Sequence, residues 1–481
     1  MRQFRACLGL VAGAALLAAC AVGPDYQRPK FDAAAQYKEV GDWKPSQPSD
    51  ALSHGHWWEI YGDDALNQLE TRIDISNETV KAAAAAYDQA RALVAQARAG
   101  FWPTIAASVS RQRGGAGTPT TFTNAAGVPI TTTSRSPITN SAGLSATWDL
   151  DIWGRIRRTT EGNRASAQAG AAALAAASLS AQAELATDYF ELRAQDQLKK
   201  LLDDTVEAEK ESLRIAESRY KFGVAARADV VSAQTQLLSS QAQQVNANIQ
   251  RAILEHAIAV LVGQQPAVFS VSPSSMRTDV PTVPAGIPST LLERRPDIAE
   301  AERRMAAANA QIGVAKAAYF PDLTLSGSDD YTGNSMSRLI RASNRVWSVG
   351  PALAETLFDG GLRRAQVAEA RAAYDMNVDN YRQTVLTGFQ QVEDQIATLR
   401  VLAQQAVIED ATVAAAREAE KLTLNQYKAG TVPYSSVITA QTARLSAEQT
   451  ALAVLSSRLQ GSVALIEAVG GGWNANQLPL P

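Results

Sequence analysis

The chain has 481 residues, of which 45 are Lys or Arg and 48 are Asp or Glu, so its net charge is −3. This balance gives no electrostatic support for nucleic-acid binding. Charged residues make up 19% of the chain and aromatic residues 6%, and alanine supplies much of the 46% that is apolar. Such a composition favours long, thinly packed helices over several ordinary globular domains.

The N-terminus has the features of a bacterial export signal. A positively charged start precedes an apolar run over residues 8–19, which is too short to cross a bilayer as a helix. The run ends in Leu-Ala-Ala-Cys, which resembles the lipobox at which a lipoprotein signal is cut before a diacylated cysteine. We therefore predict a signal peptide over residues 1–19 and lipid-modified Cys20 as the mature N-terminus. Because Ala21 follows instead of Asp, outer-membrane sorting is favoured.

The chain contains an internal repeat. The segment Arg219–Gly223 matches Gln426–Gly430, and Val260–Gly263 matches Glu467–Gly470. Between these matches a seven-residue pattern of mostly apolar positions runs in the same phase in both halves. This pattern predicts coiled-coil-like pairs of helices, one pair in each half.

Outside the helical stretches, apolar residues alternate with small polar ones, as at Ile105, Ala107 and Val109. Alternation of this kind is typical of strands, and the Gly/Ser/Thr-rich stretches between them are typical of exposed loops. We predict four strands, at about residues 103–113, 138–150, 321–330 and 346–357.

These patterns also divide the mature chain into successive parts. We predict an extended N-terminal arm over 20–63, a first repeat over 64–263, an equatorial linker over 264–296, a second repeat over 297–472 and a C-terminal tail over 473–481.

The strands, and not the helices, are the candidates for crossing a membrane, because no later stretch is apolar enough for a membrane helix. Four strands leave two unpaired edges, which hydrocarbon does not tolerate. Three copies would supply twelve strands, enough to enclose water, whereas two would supply eight, whose interior fills with side chains. The sequence therefore predicts a homotrimer. A helix over residues 155–222 would be roughly 100 Å long and would extend such an assembly into a tube.

Longer motifs resemble outer-membrane efflux lipoproteins of the TolC/OprM type, in the NodT branch, over essentially the whole chain. The motifs that carry the resemblance are Cys20–Tyr26, Trp148–Arg155, Arg294–Ile298, Ala307–Ala315 and Leu357–Gly361. The resemblance implies a mainly α fold with a membrane β-barrel: a TolC-like trimer with a twelve-stranded barrel, four strands per chain, continued by a long α-helical barrel.

The resemblance also implies a function and partners. The chain would be the outer-membrane channel of a tripartite efflux pump, a passive exit duct for drugs, dyes or solvents. It would dock to a periplasmic adaptor protein and an inner-membrane pump of the RND type. One alternative is the duct of a type I protein secretion system, and another is an envelope scaffold lipoprotein without a pore. The lipobox and the Arg-Arg-Pro-Asp motif favour efflux, and the strands argue against a scaffold.

No pattern in the sequence is typical of an enzyme or a metal site. His54 and His56 have no third ligand of matching type nearby, and the five methionines form no cluster. The Gly-rich stretch Gly114–Gly117 lacks the Lys-Ser/Thr of a phosphate-binding loop. We therefore predict no enzymatic activity, no cofactor and no metal.

The predicted gate lies where the helical hairpins turn, at Gly223 and Gly430. In the family that the sequence resembles, acidic residues one and two turns after the second hairpin form rings at the periplasmic entrance, assisted by Tyr and Arg beside the turns. The matching positions here are Ser436 and Thr439, which carry no charge. A strongly cation-binding double ring is therefore not expected.

An acid is present only in the first half, as Asp229, with Arg227 two residues before it. Tyr220 and Tyr427 stand just before the two turns. We predict that the gate closes through polar and aromatic contacts between neighbouring hairpins around Tyr427, Ser436 and Thr439, with Asp229 paired to a basic group. The alternative is that Asp229 is a solvated or capping residue after a turn.

Overall fold

A computed structural model of the chain describes residues 21–29, 34, 36–40, 56–114, 120–132, 138–283 and 292–479. The predicted signal peptide, Cys20 and parts of the predicted arm, loops and linker lie outside these residues. The long helices are α1 (Asp64–Ser76), α2 (Glu78–Ala99), α3 (Arg155–Lys221), α4 (Arg227–Leu261), α5 (Pro296–Ala317), α6 (Leu362–Ala429) and α7 (Tyr434–Ala468). The strands are β1 (Thr104–Arg113), β2 (Thr120–Thr123), β3 (Pro129–Thr132), β4 (Ile138–Asp149), β5 (Asp322–Gly333) and β6 (Arg345–Ala354).

The helices repeat closely between the two halves. Helices α3 and α4 have 67 and 35 residues, and their counterparts α6 and α7 have 68 and 35. At 1.5 Å per residue, α3 and α6 are each roughly 100 Å long. Within the described part of the chain, no helix has a stretch apolar enough to span a membrane.

The four longer strands form one antiparallel sheet in the order β1-β4-β5-β6, which leaves β1 and β6 as its edges. Strands β2 and β3 form a separate two-stranded hairpin. The register of the sheet sorts its side chains onto two faces. One face, which we call the apolar face, carries the exposed residues Ile105, Val109, Leu144, Trp347, Val349 and Leu353.

The opposite face carries mainly small and polar residues. Across it, the Ser110 and Ser141 hydroxyls lie 2.8 Å apart, and those of Ser328 and Ser348 lie 3.1 Å apart. Because successive side chains of a strand point to opposite faces, this separation follows directly from the alternation in the sequence.

The chain divides into two compact units, each of which contains parts of both repeats. The first comprises Met1–Arg28, Gln89–Ala167 and Arg304–Val378, and the second comprises Pro29–Asp88, Gln168–Arg303 and Asp379–Pro481. The sheet belongs to the first unit.

The core of the second unit includes aromatic residues from the last part of the predicted arm, which is helical and buried there instead of extended. Trp57, Trp58 and Tyr61 lie in a short 3₁₀ helix and are almost completely buried. The Tyr61 ring packs 4.8 Å from that of Phe190, and the Tyr61 hydroxyl lies 2.7 Å from the Ser462 hydroxyl. One short segment therefore connects α3 and α7 through buried aromatic contacts.

A carboxyl group is buried in the same unit without a partner. Glu70 on α1 is 0% exposed, and neither of its carboxyl oxygens has a hydrogen-bond partner among the described residues. Burial raises the pKa of Glu70 well above its usual value because it disfavours the charged form, and the nearby charge of Asp74 adds to this effect.

We expect the Glu70→Gln substitution to stabilise the protein at neutral pH and to have little effect under acidic conditions. Because folding raises the pKa of Glu70, the wild type loses stability as the pH rises from the unfolded-state pKa of about 4.5 through the raised value. Glutamine does not ionise, so the variant avoids a penalty of about 1.4 kcal/mol for each unit by which folding raises the pKa of Glu70, and the melting temperature should rise by about 2 °C or more at pH 8.

Thermal melting of the detergent-solubilised protein between pH 4 and pH 8 measures this difference. Glu78→Gln is the matched control, because Glu78 is an exposed helical glutamate that pairs with Lys81 at 2.9 Å. Identical pH profiles for the two variants would show that Glu70 does not titrate as described.

Candidate functional site

The segment that follows the predicted cleavage site forms contacts within the first unit. Cys20 itself lies outside the described residues. Two residues later, the Val22 backbone N–H donates to the Trp153 carbonyl oxygen at 3.0 Å. Trp153 lies shortly after the end of β4, and its indole N–H donates to the Pro321 carbonyl oxygen, just before β5. The segment that follows Cys20 is therefore attached beside two strands of the sheet.

Arg158 on α3 binds the same segment. Its guanidinium donates to the carbonyl oxygens of Val22 and Gly23, both at 3.3 Å, and to the Asp25 carboxylate at 2.8 Å. Gly23 has φ +113°, and a β-carbon there would lie 2.5 Å from the Gly313 α-carbon. Only glycine fits at this position, which gives the predicted opening motif a structural role.

The two helical hairpins turn in the same way. At the first turn, Gly223 has φ +74°, and its N–H donates to the Tyr220 carbonyl oxygen at 2.9 Å. The backbone N–H of the residue after Gly223 donates to the Arg219 carbonyl oxygen. At the second turn, Gly430 has φ +82°, and its N–H donates to the Tyr427 carbonyl oxygen at 2.9 Å. Glycine suits both turns because the left-handed backbone conformation strains other residues.

The two hairpins pack together near their turns through what we call the tip cluster. Its buried members are Ala216, Ala233, Tyr427, Tyr434 and Val437, which come from both halves of the chain. The rings of Tyr427 and Tyr434 meet edge to face with their centroids 5.1 Å apart. Burial raises the pKa of Tyr434 to about 12, and the charge of Glu209 adds to the effect.

Arg219 connects the hairpins across this cluster, and sequence reasoning did not single it out. Its guanidinium carbon lies 4.9 Å from the centroid of the Tyr427 ring, and its Nη1 donates to the Lys428 carbonyl oxygen at 2.7 Å. The first contact is a cation–π interaction, and the second satisfies a carbonyl at the end of α6. The signal in the sequence was its place at the start of the repeated segment, where the second half has Gln426.

The two tyrosines of the predicted gate have different environments. Tyr220 is 45% exposed, whereas Tyr427 is 2% exposed. The Tyr427 hydroxyl has no hydrogen-bond partner among the described residues. Burial raises the pKa of Tyr427, the charge of Asp229 raises it further, and the charge of Arg219 opposes both. The ring of Tyr427, more than its hydroxyl, therefore joins the hairpins within one chain.

The polar residues of the predicted gate do not meet one another within the described chain. Asp229 is half-buried and forms no ion pair with a described residue, and Arg227 is exposed. The Thr439 hydroxyl donates to the Ser435 carbonyl oxygen of its own helix at 3.0 Å, and the Ser436 N–H donates to that of Pro433. The predicted contacts of these residues with neighbouring hairpins stay predictions.

Comparison with known proteins identifies the family. The outer membrane efflux protein family matches residues 72–264 and 287–471, so both halves of the chain are covered. The toluene efflux pump outer membrane protein TtgC of Pseudomonas putida is 30% identical over 97% of this chain and 95% of its own length. The pyoverdine export outer membrane protein OpmQ of Pseudomonas aeruginosa is 30% identical over 98% of each chain.

The fold agrees with this result. The outer-membrane channel OprN superposes with a TM-score of 0.84 at 31% identity, over 94% of this chain and all of that one. These comparisons confirm the predicted family, the TolC-like fold, the efflux function and the outer-membrane location. The chain therefore belongs to the outer membrane efflux protein family.

Proposed function

We propose that this chain is the outer-membrane channel of a tripartite efflux pump and gives small molecules a passive exit to the exterior. The observation that carries the proposal is a sheet with one exposed apolar face and one polar face, in a chain that matches the efflux family in both halves. Two relatives are outer membrane proteins for toluene efflux and pyoverdine export, which favours small organic molecules as the substrates of this chain.

The channel is proposed to be a homotrimer. The strands β1 and β6 have no partner on their outer sides within the described chain, and free edges are not tolerated in hydrocarbon. Three four-stranded sheets would close into a twelve-stranded barrel, wide enough to enclose water, and the long helices would continue it as an α-helical barrel. A periplasmic adaptor protein and an inner-membrane pump of the RND type would dock to the helical part, which agrees with relatives that are outer membrane proteins of efflux pumps.

Lipid modification of Cys20 is part of the same proposal. The hydrogen bond between Val22 and Trp153 holds the chain two residues from Cys20 beside the ends of β4 and β5. An acyl chain attached to Cys20 would therefore enter the membrane close to the sheet. The strands and the lipid would act as two anchors, and two signals make a membrane attachment firm.

The gate is proposed to lie at the hairpin turns, with the tip cluster as its support. Arg219 and the ring of Tyr427 hold the two hairpins of one chain together. Exposed Tyr220 and Arg227, together with Asp229, Ser436 and Thr439, are then left to contact the neighbouring chains of the trimer. Loosening the tip cluster should widen the entrance.

We expect loss of this chain to sensitise its host to solvents and antibiotics, because the pump would then have no exit through the outer membrane. Growth of a deletion strain on a panel of these compounds measures the effect, and the wild-type chain supplied in trans should restore resistance. If the deletion strain kept full resistance and lost secretion of a protein instead, the chain would serve type I secretion.

We expect Arg219→Gln to raise the single-channel conductance in planar bilayers. The substitution removes a cation–π contact and a hydrogen bond, each worth about 1 kcal/mol, so the hairpin tips should open about thirtyfold more often. Trypsin should then cut after Lys428 correspondingly faster. Tyr427→Phe should have little effect, because the aromatic ring remains in place.

Arg214→Gln is the matched control for this prediction. Arg214 lies on the same helix but is exposed and pairs with Glu211, so its loss should leave the tip unchanged. Equal conductance for wild type and Arg219→Gln, in trimers of equal yield, would move the gate away from the tip cluster.

We expect Cys20→Ser to abolish labelling of the protein by radioactive palmitate, because the acylated thiol and the new N-terminus both depend on this cysteine. The variant should still form channels after extraction, since the sheet is the stronger anchor. Persistent labelling would place the lipid on another residue.

A further inference from the structure

A group of arginines lies where the sheet meets its loops, in the first unit. Arg111 and Arg113 are at the end of β1, Arg338 and Arg341 lie between β5 and β6, and Arg345 begins β6. All five are exposed. The antiparallel order of the strands places the end of β1 and the start of β6 at the same end of the sheet, which we call the loop end.

Most of this positive charge is not neutralised. Arg345 forms a two-pronged ion pair with Asp329, at 2.7 and 2.9 Å. The other four guanidinium groups have no acidic partner among the described residues. The sequence explains why, since no Asp or Glu lies between Phe101 and Trp148 or between Tyr331 and Val346.

At the opposite end of the sheet, three arginines have acidic partners. Arg155 lies 3.5 Å from Asp149, Arg157 lies 3.3 Å from Asp151, and Arg363 lies 2.7 Å from Asp359. Four arginines at the loop end thus have no acidic partner among the described residues, whereas these three at the opposite end are neutralised.

The arginines also continue the apolar face. Alternation along β1 places Arg111 and Arg113 on the same side of the sheet as Ile105 and Val109. Because two residues of a strand span about 7 Å, Arg111 lies about 7 Å beyond Val109 and Arg113 about 14 Å beyond it. On β6, Trp347 occupies this face and is 66% exposed. Aromatic residues of membrane strands typically mark the level of the lipid headgroups. The charges therefore lie at the level where headgroups would meet the sheet.

We propose that the loop-end arginines bind the phosphate groups of the anionic glycolipid in the outer leaflet of the outer membrane. The inference rests on the proposed function, because it requires the sheet to span that membrane. Guanidinium groups bind phosphate oxygens through two charge-assisted hydrogen bonds at once. Arginine at positions 111 and 113 therefore suits phosphate binding better than lysine would. Because β1 and β6 are the sheet edges, Arg111 of one chain would adjoin Arg345 of the next in the trimer.

The test compares binding of bis-phosphorylated lipid A with binding of its dephosphorylated form to the purified full-length protein in detergent. Native mass spectrometry counts the bound lipids. The measurement is made without divalent cations, because they would neutralise the phosphates before the protein binds them. We expect the wild type to prefer the phosphorylated form, and added salt should weaken that preference. The Arg111→Gln/Arg113→Gln variant should bind it about tenfold more weakly, the loss expected for charge-assisted hydrogen bonds.

The matched control is Arg364→Gln/Arg371→Gln, which removes two exposed arginines from α6 and should leave lipid binding unchanged. Equal binding of both lipid forms by the wild type would overturn the inference, even if the variants failed to assemble. Tighter binding of soluble inorganic polyphosphate than of lipid A would assign the arginines to a soluble anion and overturn it as well. Channel conductance of the same preparation is measured separately. A protein that conducts but does not prefer the phosphorylated lipid contradicts only this inference. A protein that forms no channel contradicts both the proposed function and this inference.

Discussion

The two open edges of the four-stranded sheet are the constraint on which the rest of the account depends. Every inner strand is paired on both sides, but β1 and β6 each present a row of backbone groups without partners in the described chain. One face of the same sheet is apolar and exposed, so the sheet suits hydrocarbon, where unpaired backbone groups are most costly. Association of several copies would pair the open edges and still leave the apolar face toward hydrocarbon. The proposed function is for this reason a property of an assembly.

The internal repeat produces two halves with matching helices and turns, but equivalent side chains in the two halves have different environments. The turns at Gly223 and Gly430 have the same backbone bonds, yet Tyr220 is exposed at the first and Tyr427 is buried at the second. Arg219 contributes to this difference, because it covers the Tyr427 ring and donates a hydrogen bond to the Lys428 carbonyl oxygen. One hairpin thus supports the other, and a modest change at this contact is enough to affect the tip.

Much of the fold could be predicted from the sequence, because its signals are local. Alternation at Ile105, Ala107 and Val109 marks β1, and glycine at 223 and 430 marks the turns. Contacts between distant segments could not be predicted. The bonds of Arg158 to the segment after Cys20 join parts of the chain that no periodic pattern relates. The repeat relates the segments of Arg219 and Tyr427, but it does not show that these two side chains pack together, and no local pattern shows that Glu70 is buried. For the same reason the compact units, which combine parts of both repeats, were not foreseen.

The number of chains in the assembly shows whether neighbouring copies close the open edges of the sheet. Each full-length chain has a mass of 51.2 kDa, so native mass spectrometry of the detergent-extracted protein resolves one, two or three copies without ambiguity. We expect three copies, since three sheets leave no open edge and enclose a water-filled pore. A preparation that conducts ions in bilayers yet contains only one or two copies would contradict this expectation.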